Sequence, residues 1–247
     1  MGRVDFYKDR VVINCLAKNL ENAVEINEAL EGHCLIGVLT KNYADVESCV
    51  KDVKAYMAKI KNVSVGLGAG DPKQWKMVAD VSALTNPGHA NEVFTGAMYC
   101  KGALTQAGAT DTIINCLISP TGEVGKVKIS TGPVSCGGQD IIVSCQQACD
   151  MLKDIGLNSV KFFNVHGLQH VEEIREFAKV AAASGLEYFE PTGGLTIENV
   201  KEVTKICLDA GCHKVIPHVY SSIINKETGL TDIGMAKQVY EQIKELF

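Results

Sequence analysis

Residues 159–167 read S-V-K-F-F-N-V-H-G, and this stretch governs the interpretation of the whole chain. Most of its residues are β-branched or aromatic, which favours a β-strand, and Gly167 ends the run. One charged residue, Lys161, interrupts the apolar pattern. A lysine is rarely buried unless it is paired or used chemically. Residues 159–165 are therefore predicted to form a strand whose lysine is either functional or reaches water at the strand edge.

Burial would change the chemistry of Lys161. A free lysine has a pKa of about 10.4, whereas an amine that acts as a nucleophile near neutrality needs a pKa of roughly 7–8. The difference of about 3 units corresponds to about 4 kcal/mol against the ammonium, which an apolar barrel interior can supply. Lys161 is thus a candidate Schiff-base nucleophile.

Short apolar runs alternate with amphipathic helical stretches along most of the chain. Eight runs are predicted as strands, at residues 11–17, 34–40, 63–67, 82–85, 111–119, 159–165, 186–190 and 214–219. The helices between them include 20–31, 45–61, one that starts at 72, and 91–107. This order predicts an α/β fold, a (β/α)8 TIM barrel with a parallel sheet, as a single domain over residues 1–247. Residues 120–140, after the fifth strand, are predicted to form a small β-excursion on the barrel rim.

The composition bears on location and partners. The 247 residues carry a formal net charge of −5, which gives no reason to expect nucleic acid as a partner. No apolar run reaches the ~18 residues of a membrane span, and the N-terminus has no apolar signal region, so we expect a cytoplasmic protein with no membrane partner. None of the ten cysteines forms C-x-x-C, which suits reduced core thiols; Cys136, in S-C-G-G, is the one to test for reactivity.

Residues 190–199, E-P-T-G-G-L-T-I-E-N, carry a second functional pattern. Gly193 and Gly194 let backbone N–H groups approach an anion, next to a helix predicted to open at Thr196. Barrels commonly bind phosphate with the loops after strands seven and eight, and the loop after strand eight offers Ser221 and Ser222. The glycines could instead serve only the turn, but their place after strand seven favours a phosphate site.

The K-F-F at Lys161 and the P-T-G-G about thirty residues later together resemble the 2-keto-3-deoxy-6-phosphogluconate and 4-hydroxy-2-oxoglutarate aldolases, as a divergent branch. Their lysine strand reads like (L/V)-K-F-F-P, and their seventh strand ends in P-T-G-G. The resemblance implies a class I aldolase that cleaves 2-dehydro-3-deoxy-6-phosphogluconate, or a related 4-hydroxy-2-oxo acid, without a cofactor. Its partners would be the phosphorylated sugar acid and pyruvate, and we expect a homo-oligomer.

The resemblance also implies roles for individual residues. It puts Lys161 at the iminium and Thr192 near the pyruvate carboxylate. The phosphate of the aldehyde half would be held by four residues, Gly193, Gly194, Ser221 and Ser222.

One strand departs from the family pattern. The second strand of the family reads like E-V-T-L-R-T, whereas residues 37–42 read G-V-L-T-K-N. Gly37 stands where the family has glutamate, and Lys41 stands where it has arginine, which makes Lys41 a substrate-binding candidate. The general base must then come from elsewhere, and the candidates are Glu190, His166 and His218. Each could instead be structural, as a satisfied histidine or as a glutamate paired with Lys161.

Two other functions stay open. One is a metal-dependent class II lyase with His89, His166, His218 and a carboxylate as ligands. No H-x-H or H-E-x-x-H spacing supports it, and the favoured interpretation has no metal site. The other is a sugar-phosphate-binding barrel without activity, which only the missing strand-two glutamate favours.

Overall fold

A computed structural model describes residues 3–247, and this part of the chain forms ten strands and eight α-helices. The strands are β1 (Ile13–Leu16), β2 (Cys34–Leu39), β3 (Val63–Gly66), β4 (His89–Val93), β5 (Ile113–Pro120), β6 (Lys126–Ile129), β7 (Ile142–Ser144), β8 (Ser159–Phe163), β9 (Tyr188–Thr192) and β10 (Lys214–Val215). The helices are α1 (Leu20–Ala29), α2 (Val46–Met57), α3 (Trp75–Thr85), α4 (Phe94–Gln106), α5 (Cys145–Ile155), α6 (Val171–Ala183), α7 (Val200–Asp209) and α8 (Ile233–Lys244).

Eight of the strands form a closed parallel barrel. Their order is β1-β2-β3-β4-β5-β8-β9-β10, each parallel to its neighbours. Parallel bridges from Val11 to Val215 and from Asn14 to His218 join the last strand to the first. The predicted TIM barrel is confirmed.

The predicted position of the fourth strand is wrong. Residues 82–85 are the last turn of α3, where the Thr85 hydroxyl donates to the Val81 carbonyl at 2.8 Å. The helix ends at Asn86, whose φ of 50° is left-handed, and Pro87 follows. The true strand, β4, was taken for a turn and the start of a helix because its H-A-N-E-V sequence is largely polar. Two of those polar side chains, His89 and Asn91, point into the barrel interior.

The predicted β-excursion is present, and it extends further than residues 120–140. Strand β6 pairs antiparallel with the end of β5 and with β7, which reaches Ser144. Helix α5 begins directly after it, and Ser144 and Gln147 form a reciprocal capping box. The excursion therefore adds a small antiparallel layer beside the mouth of the barrel.

The alternation along β8 and β9 directs two ionisable side chains into the barrel. Phe162 packs outward against Phe177 of α6, with ring centroids 5.1 Å apart, and Phe189 packs against the same ring at 5.6 Å. Because successive side chains on a strand point to opposite faces, Lys161 and Glu190 point inward. The two residues are paired in register across β8 and β9.

The cysteines behave mainly as small core residues. All ten are free thiols, nine are buried, and Cys136 is exposed. Burial raises the pKa of Cys15 to about 12, so that thiol is inert near neutrality. Among residues 3–247, no helix is long and apolar enough to cross a membrane.

Candidate active site

A cavity of about 370 Å³ opens at the carboxyl ends of the barrel strands, where barrels of this type place their active sites. Lys161 and Asn91 contribute to its wall, as do the loops after β9 and β10. Lys41 lines another side, with its aliphatic chain against the backbone of Gly68. These cavity residues lie far apart in the sequence, and the barrel fold brings them together.

Lys161 has the environment of a nucleophilic amine. Its Nζ donates to Asn91 Oδ1 at 3.0 Å. Burial lowers its pKa to about 8, although the nearby Glu190 carboxylate opposes this shift. About a tenth of the amine is therefore unprotonated at neutral pH, far more than for a lysine in water.

Glu190 lies at the centre of the barrel with no exposed surface. Four side chains donate to its carboxylate: His89 at 3.0 Å, His218 at 2.7 Å, Asn115 at 2.7 Å and Ser159 at 2.5 Å. Burial alone would raise the pKa of this carboxyl, but the two imidazoles outweigh burial and hold it below its ordinary value. Glu190 is therefore an ionised hub, and its lone pairs are occupied by donors.

The hub orients both histidines. A carboxylate only accepts hydrogen bonds, so His89 and His218 each donate to it through Nε2, and Nδ1 of each ring faces a hydroxyl. The Ser64 hydroxyl lies 2.8 Å from Nδ1 of His89, and the Tyr220 hydroxyl lies 2.7 Å from Nδ1 of His218. Burial, followed by the charge of Lys161, lowers the pKa of His218 to about 3, so this ring is neutral at rest.

Three asparagines connect the hub to the rest of the interior. Asn115 donates to Asn91 Oδ1 at 2.9 Å as well as to Glu190. Asn91 donates to Ser64 at 2.9 Å, and Asn14 donates to the same hydroxyl at 3.3 Å. The position of the Lys161 amine is thereby set by side chains from four different strands.

The P-T-G-G turn is held open by close backbone contacts. Gly193 has a φ of 102°, and a Cβ there would fall 1.8 Å from Asn164 Oδ1. A Cβ on Gly194, whose φ is 67°, would fall 2.6 Å from the Gly167 nitrogen. Both positions require glycine because the loops after β8 and β9 touch here.

The backbone N–H groups of this turn are free to donate hydrogen bonds to an anion. Within residues 3–247, none of the backbone N–H groups of Gly193, Gly194 and Leu195 donates to another protein group, and those of Ser221 and Ser222 are equally free. The Ser222 hydroxyl donates to the Leu195 carbonyl at 2.7 Å and so joins the two loops. The predicted helix is present but begins at Val200 instead of Thr196, after a turn in which Asn199 Oδ1 accepts from the Thr196 N–H at 2.8 Å.

The other predicted residues have different placements. Thr192 and Ser221 line the cavity, whereas Ser222 acts on the loop. The structure does not bring His166 into the site: its side chain is exposed, on the loop after β8, with a φ of 49°. Of the three predicted histidine ligands of a metal, His89 and His218 converge with Glu190 within 4.8 Å, whereas His166 lies apart.

A second buried carboxyl lies outside the cavity chemistry. Glu92 follows Asn91 on β4, so its side chain points toward the helices, and a Cβ on Gly96 would lie 2.9 Å from its Oε2. Neither carboxyl oxygen has a partner in the described part of the chain, and burial raises its pKa well above the usual range. Glu92 thus takes no part in the hydrogen-bond network around Lys161.

Several members of the site were not predicted from the sequence, namely Asn14, Ser64, Asn91, Asn115, Ser159 and Tyr220. Asn14 and Asn115 each interrupt an apolar strand run, in V-V-I-N-C and I-I-N-C-L. That is the same pattern that singled out Lys161. A polar residue at an inward position of a parallel barrel strand was therefore a usable signal.

The sequence matches a known family model, and a relative matches it along its whole length. A family model described as KDGP aldolase matches residues 7–227. A Salmonella typhimurium (strain 14028s / SGSC 2262) protein named 2-dehydro-3-deoxy-phosphogluconate aldolase is 46% identical over 246 residues, covering 100% of both chains.

Solved structures with the same fold are much more distant in sequence. A mutant tryptophan synthase α-subunit from Pyrococcus furiosus has a TM-score of 0.62 at 11% identity, covering 99% of this chain and 100% of its own. KGPDC from Streptococcus mutans has a TM-score of 0.57 at 12% identity, covering 96% and 99%. At these identities the structures support the barrel fold alone.

Proposed function

This chain belongs to the KDGP aldolase family, and from that premise we propose that it is a class I aldolase that cleaves 2-dehydro-3-deoxy-6-phosphogluconate. It is an enzyme, a carbon–carbon lyase, so a barrel that only binds sugar phosphates is set aside. The products are pyruvate and glyceraldehyde 3-phosphate. The observation that carries the mechanism is Lys161, an amine with a lowered pKa at the wall of the cavity.

The first step is attack by Lys161. The neutral Nζ adds to the C2 ketone, and the resulting carbinolamine takes up one proton from solvent and loses water to give a protonated iminium. Asn91 accepts a hydrogen bond from Nζ at 3.0 Å, which aims the amine before the substrate binds. The iminium is an electron sink four bonds from the hydroxyl on C4.

The second step is cleavage of the C3–C4 bond. The bonding pair flows into the iminium and leaves a neutral enamine, while the C4 hydroxyl gives up its proton and becomes the aldehyde carbonyl. Protonation of the enamine at C3 and addition of water then release pyruvate and restore Lys161. The charge that moves through this sequence lies beside fixed polar side chains, which stabilise it without having to reorganise.

Substrate binding uses the two ends of the cavity. The free N–H groups of Gly193 and Gly194, with Ser221, receive the phosphate, which suits the backbone concavity of the turn. Thr192 lies between this turn and the hub and is placed to meet the substrate carboxylate. Lys41 supplies a cation from another side of the cavity, and Ser222 keeps the phosphate loop joined to its neighbour.

A metal-dependent lyase is the competing function, because His89, Glu190 and His218 have a ligand-like arrangement. An ion bound there would have to displace the hydrogen bonds that the two imidazoles make to the carboxylate. It would also strand Asn115 and Ser159, which donate to the same oxygens. The class I mechanism leaves all of these hydrogen bonds intact.

The test follows product formation from the phosphorylated sugar acid. We expect the purified enzyme to retain its turnover after dialysis against EDTA, and Lys161→Met to lose at least about 1,000-fold in kcat, since the nucleophile is gone. Lys179→Met, on the exposed surface of α6, is the matched control and should keep its activity. Loss of activity on chelation with recovery on adding a divalent metal would contradict the proposal.

A further inference from the structure

The cleavage step needs a group that takes the proton of the C4 hydroxyl. The second strand does not provide it, because Gly37 has no side chain, and a Cβ there would lie 2.7 Å from Leu16 Cδ2. We propose that Tyr220 transfers this proton, with His218 and Glu190 completing a relay behind it. This inference rests on the proposed function and adds a residue to it.

Tyr220 has the position that the role requires. It follows β10 and lines the cavity, and the centre of its ring lies 5.9 Å from Lys161 Nζ. The C4 hydroxyl of a substrate held as an iminium is four bonds from that nitrogen. The phenol is thus near enough to Lys161 to reach the C4 hydroxyl of a substrate bound there.

The hydrogen bonds behind the phenol have a single direction. His218 donates through Nε2 to Glu190 at 2.7 Å, so Nδ1 of the neutral ring accepts from the Tyr220 hydroxyl, also at 2.7 Å. Asn14 Oδ1 is a second acceptor for the same hydroxyl proton, at the longer distance of 3.2 Å. The phenol oxygen therefore keeps a lone pair for a proton from the substrate while its own proton faces an imidazole acceptor.

The step balances in protons and electrons. The C4 hydroxyl proton passes to the Tyr220 oxygen as the phenol proton passes to Nδ1 of His218. The oxygen pair freed on C4 forms the carbonyl, the C3–C4 pair enters the iminium, and the nitrogen becomes neutral. One positive charge leaves the Lys161 nitrogen and one appears on His218, beside the Glu190 carboxylate, as in other carboxylate–histidine pairs that stabilise an imidazolium.

The charge on the Lys161 nitrogen affects how readily His218 accepts a proton. At rest, burial and then the Lys161 charge keep the pKa of His218 low. When the iminium is neutralised, the second of these causes disappears as the proton arrives. Glu190 remains at hydrogen-bonding distance throughout, so the imidazolium has a partner at the moment it forms.

The experiment compares Tyr220→Phe with the wild type. We expect kcat for cleavage to fall at least about 100-fold, the effect of losing a general acid–base group, while borohydride still traps pyruvate on Lys161 at the wild-type rate. Retained trapping shows that the variant is folded and that its nucleophile works. Tyr240→Phe is the matched control, because its buried hydroxyl reaches only Glu31, far from the cavity.

A second variant tests the relay as a unit. His218→Gln should lower kcat by a similar factor, and the double variant should be no slower than the slower single variant, since residues that act together are not additive. A Tyr220→Phe turnover within threefold of wild type, or losses that multiply in the double variant, would overturn the relay and leave the Schiff base standing. Failure of wild-type trapping would overturn both.

Discussion

Lys161 is costly to the fold for the same reason that it is reactive. Burial disfavours its ammonium, and only the Glu190 carboxylate works against that effect. The folded-state pKa of about 8 lies below the 10.5 of a free lysine, so the native state binds fewer protons than the unfolded state between these values. Stability is therefore reduced below about pH 8 and is regained as pH rises toward 10.5.

The first prediction at this scale concerns stability. Lys161→Met should raise the free energy of unfolding at neutral pH by about 1–3 kcal/mol, because the buried amine is replaced by an apolar chain of similar length. The gain should shrink as pH rises from about 8 to about 10.5. Urea unfolding at several pH values measures it, with the exposed Lys179→Met as control. A less stable Lys161→Met at neutral pH would contradict the account.

Single residues also mark how far the sequence could be interpreted. Lys161 was predictable because one charge in an apolar strand is a local signal. The pairing of His218 with Glu190, and of Tyr220 with His218, was not predictable in the same way, since each depends on strand register and barrel closure. His166 was favoured by its position at a strand end, yet the left-handed turn at that residue carries its side chain out to solvent.

Among the strands and loops, too, some features were predictable from the sequence and others were not. The glycine turn after β9 was recognised from its residues, but the start of the helix behind it was not, because residues 196–199 form a turn that the Thr196–Asn199 hydrogen bond closes. Strand β4 was missed because its interior side chains are polar. In an ordinary apolar barrel core that composition would be rare, so the polar strand reflects the site rather than the fold.

A substitution in the glycine turn should separate phosphate binding from the rest of the reaction. Gly194→Ala should raise KM for the phosphorylated substrate at least about tenfold, because the added Cβ forces the turn away from Gly167. Trapping of pyruvate on Lys161 should change little, since pyruvate carries no phosphate.

The matched control for that variant is Gly185→Ala. Gly185 also has a left-handed φ, of 81°, but no atom lies within 4 Å of the added Cβ, and the residue is remote from the cavity. It reproduces the backbone strain without the contact, so its KM should stay near wild type. Equal changes in both variants, or equal effects on substrate and pyruvate, would argue against a phosphate role for the turn.

For the whole molecule, the barrel sets the location of the chemistry but does not choose it. Structures that match the fold at 11–12% identity include a tryptophan synthase subunit and KGPDC, so the fold is shared by differently named proteins. The choice lies in the interior, where polar side chains of β4, β5, β8 and β9 meet around Glu190. Closure by the Asn14–His218 bridge brings the last strand, and with it Tyr220, to the same point.

The central claim is that Lys161 forms a covalent iminium with pyruvate, and mass spectrometry after borohydride reduction tests it most directly. The enzyme is incubated with pyruvate, reduced, digested and mapped. The account predicts one reduced pyruvate adduct on the peptide that contains Lys161, and none in Lys161→Met. No adduct in the wild type, or adducts only on other lysines, would contradict it.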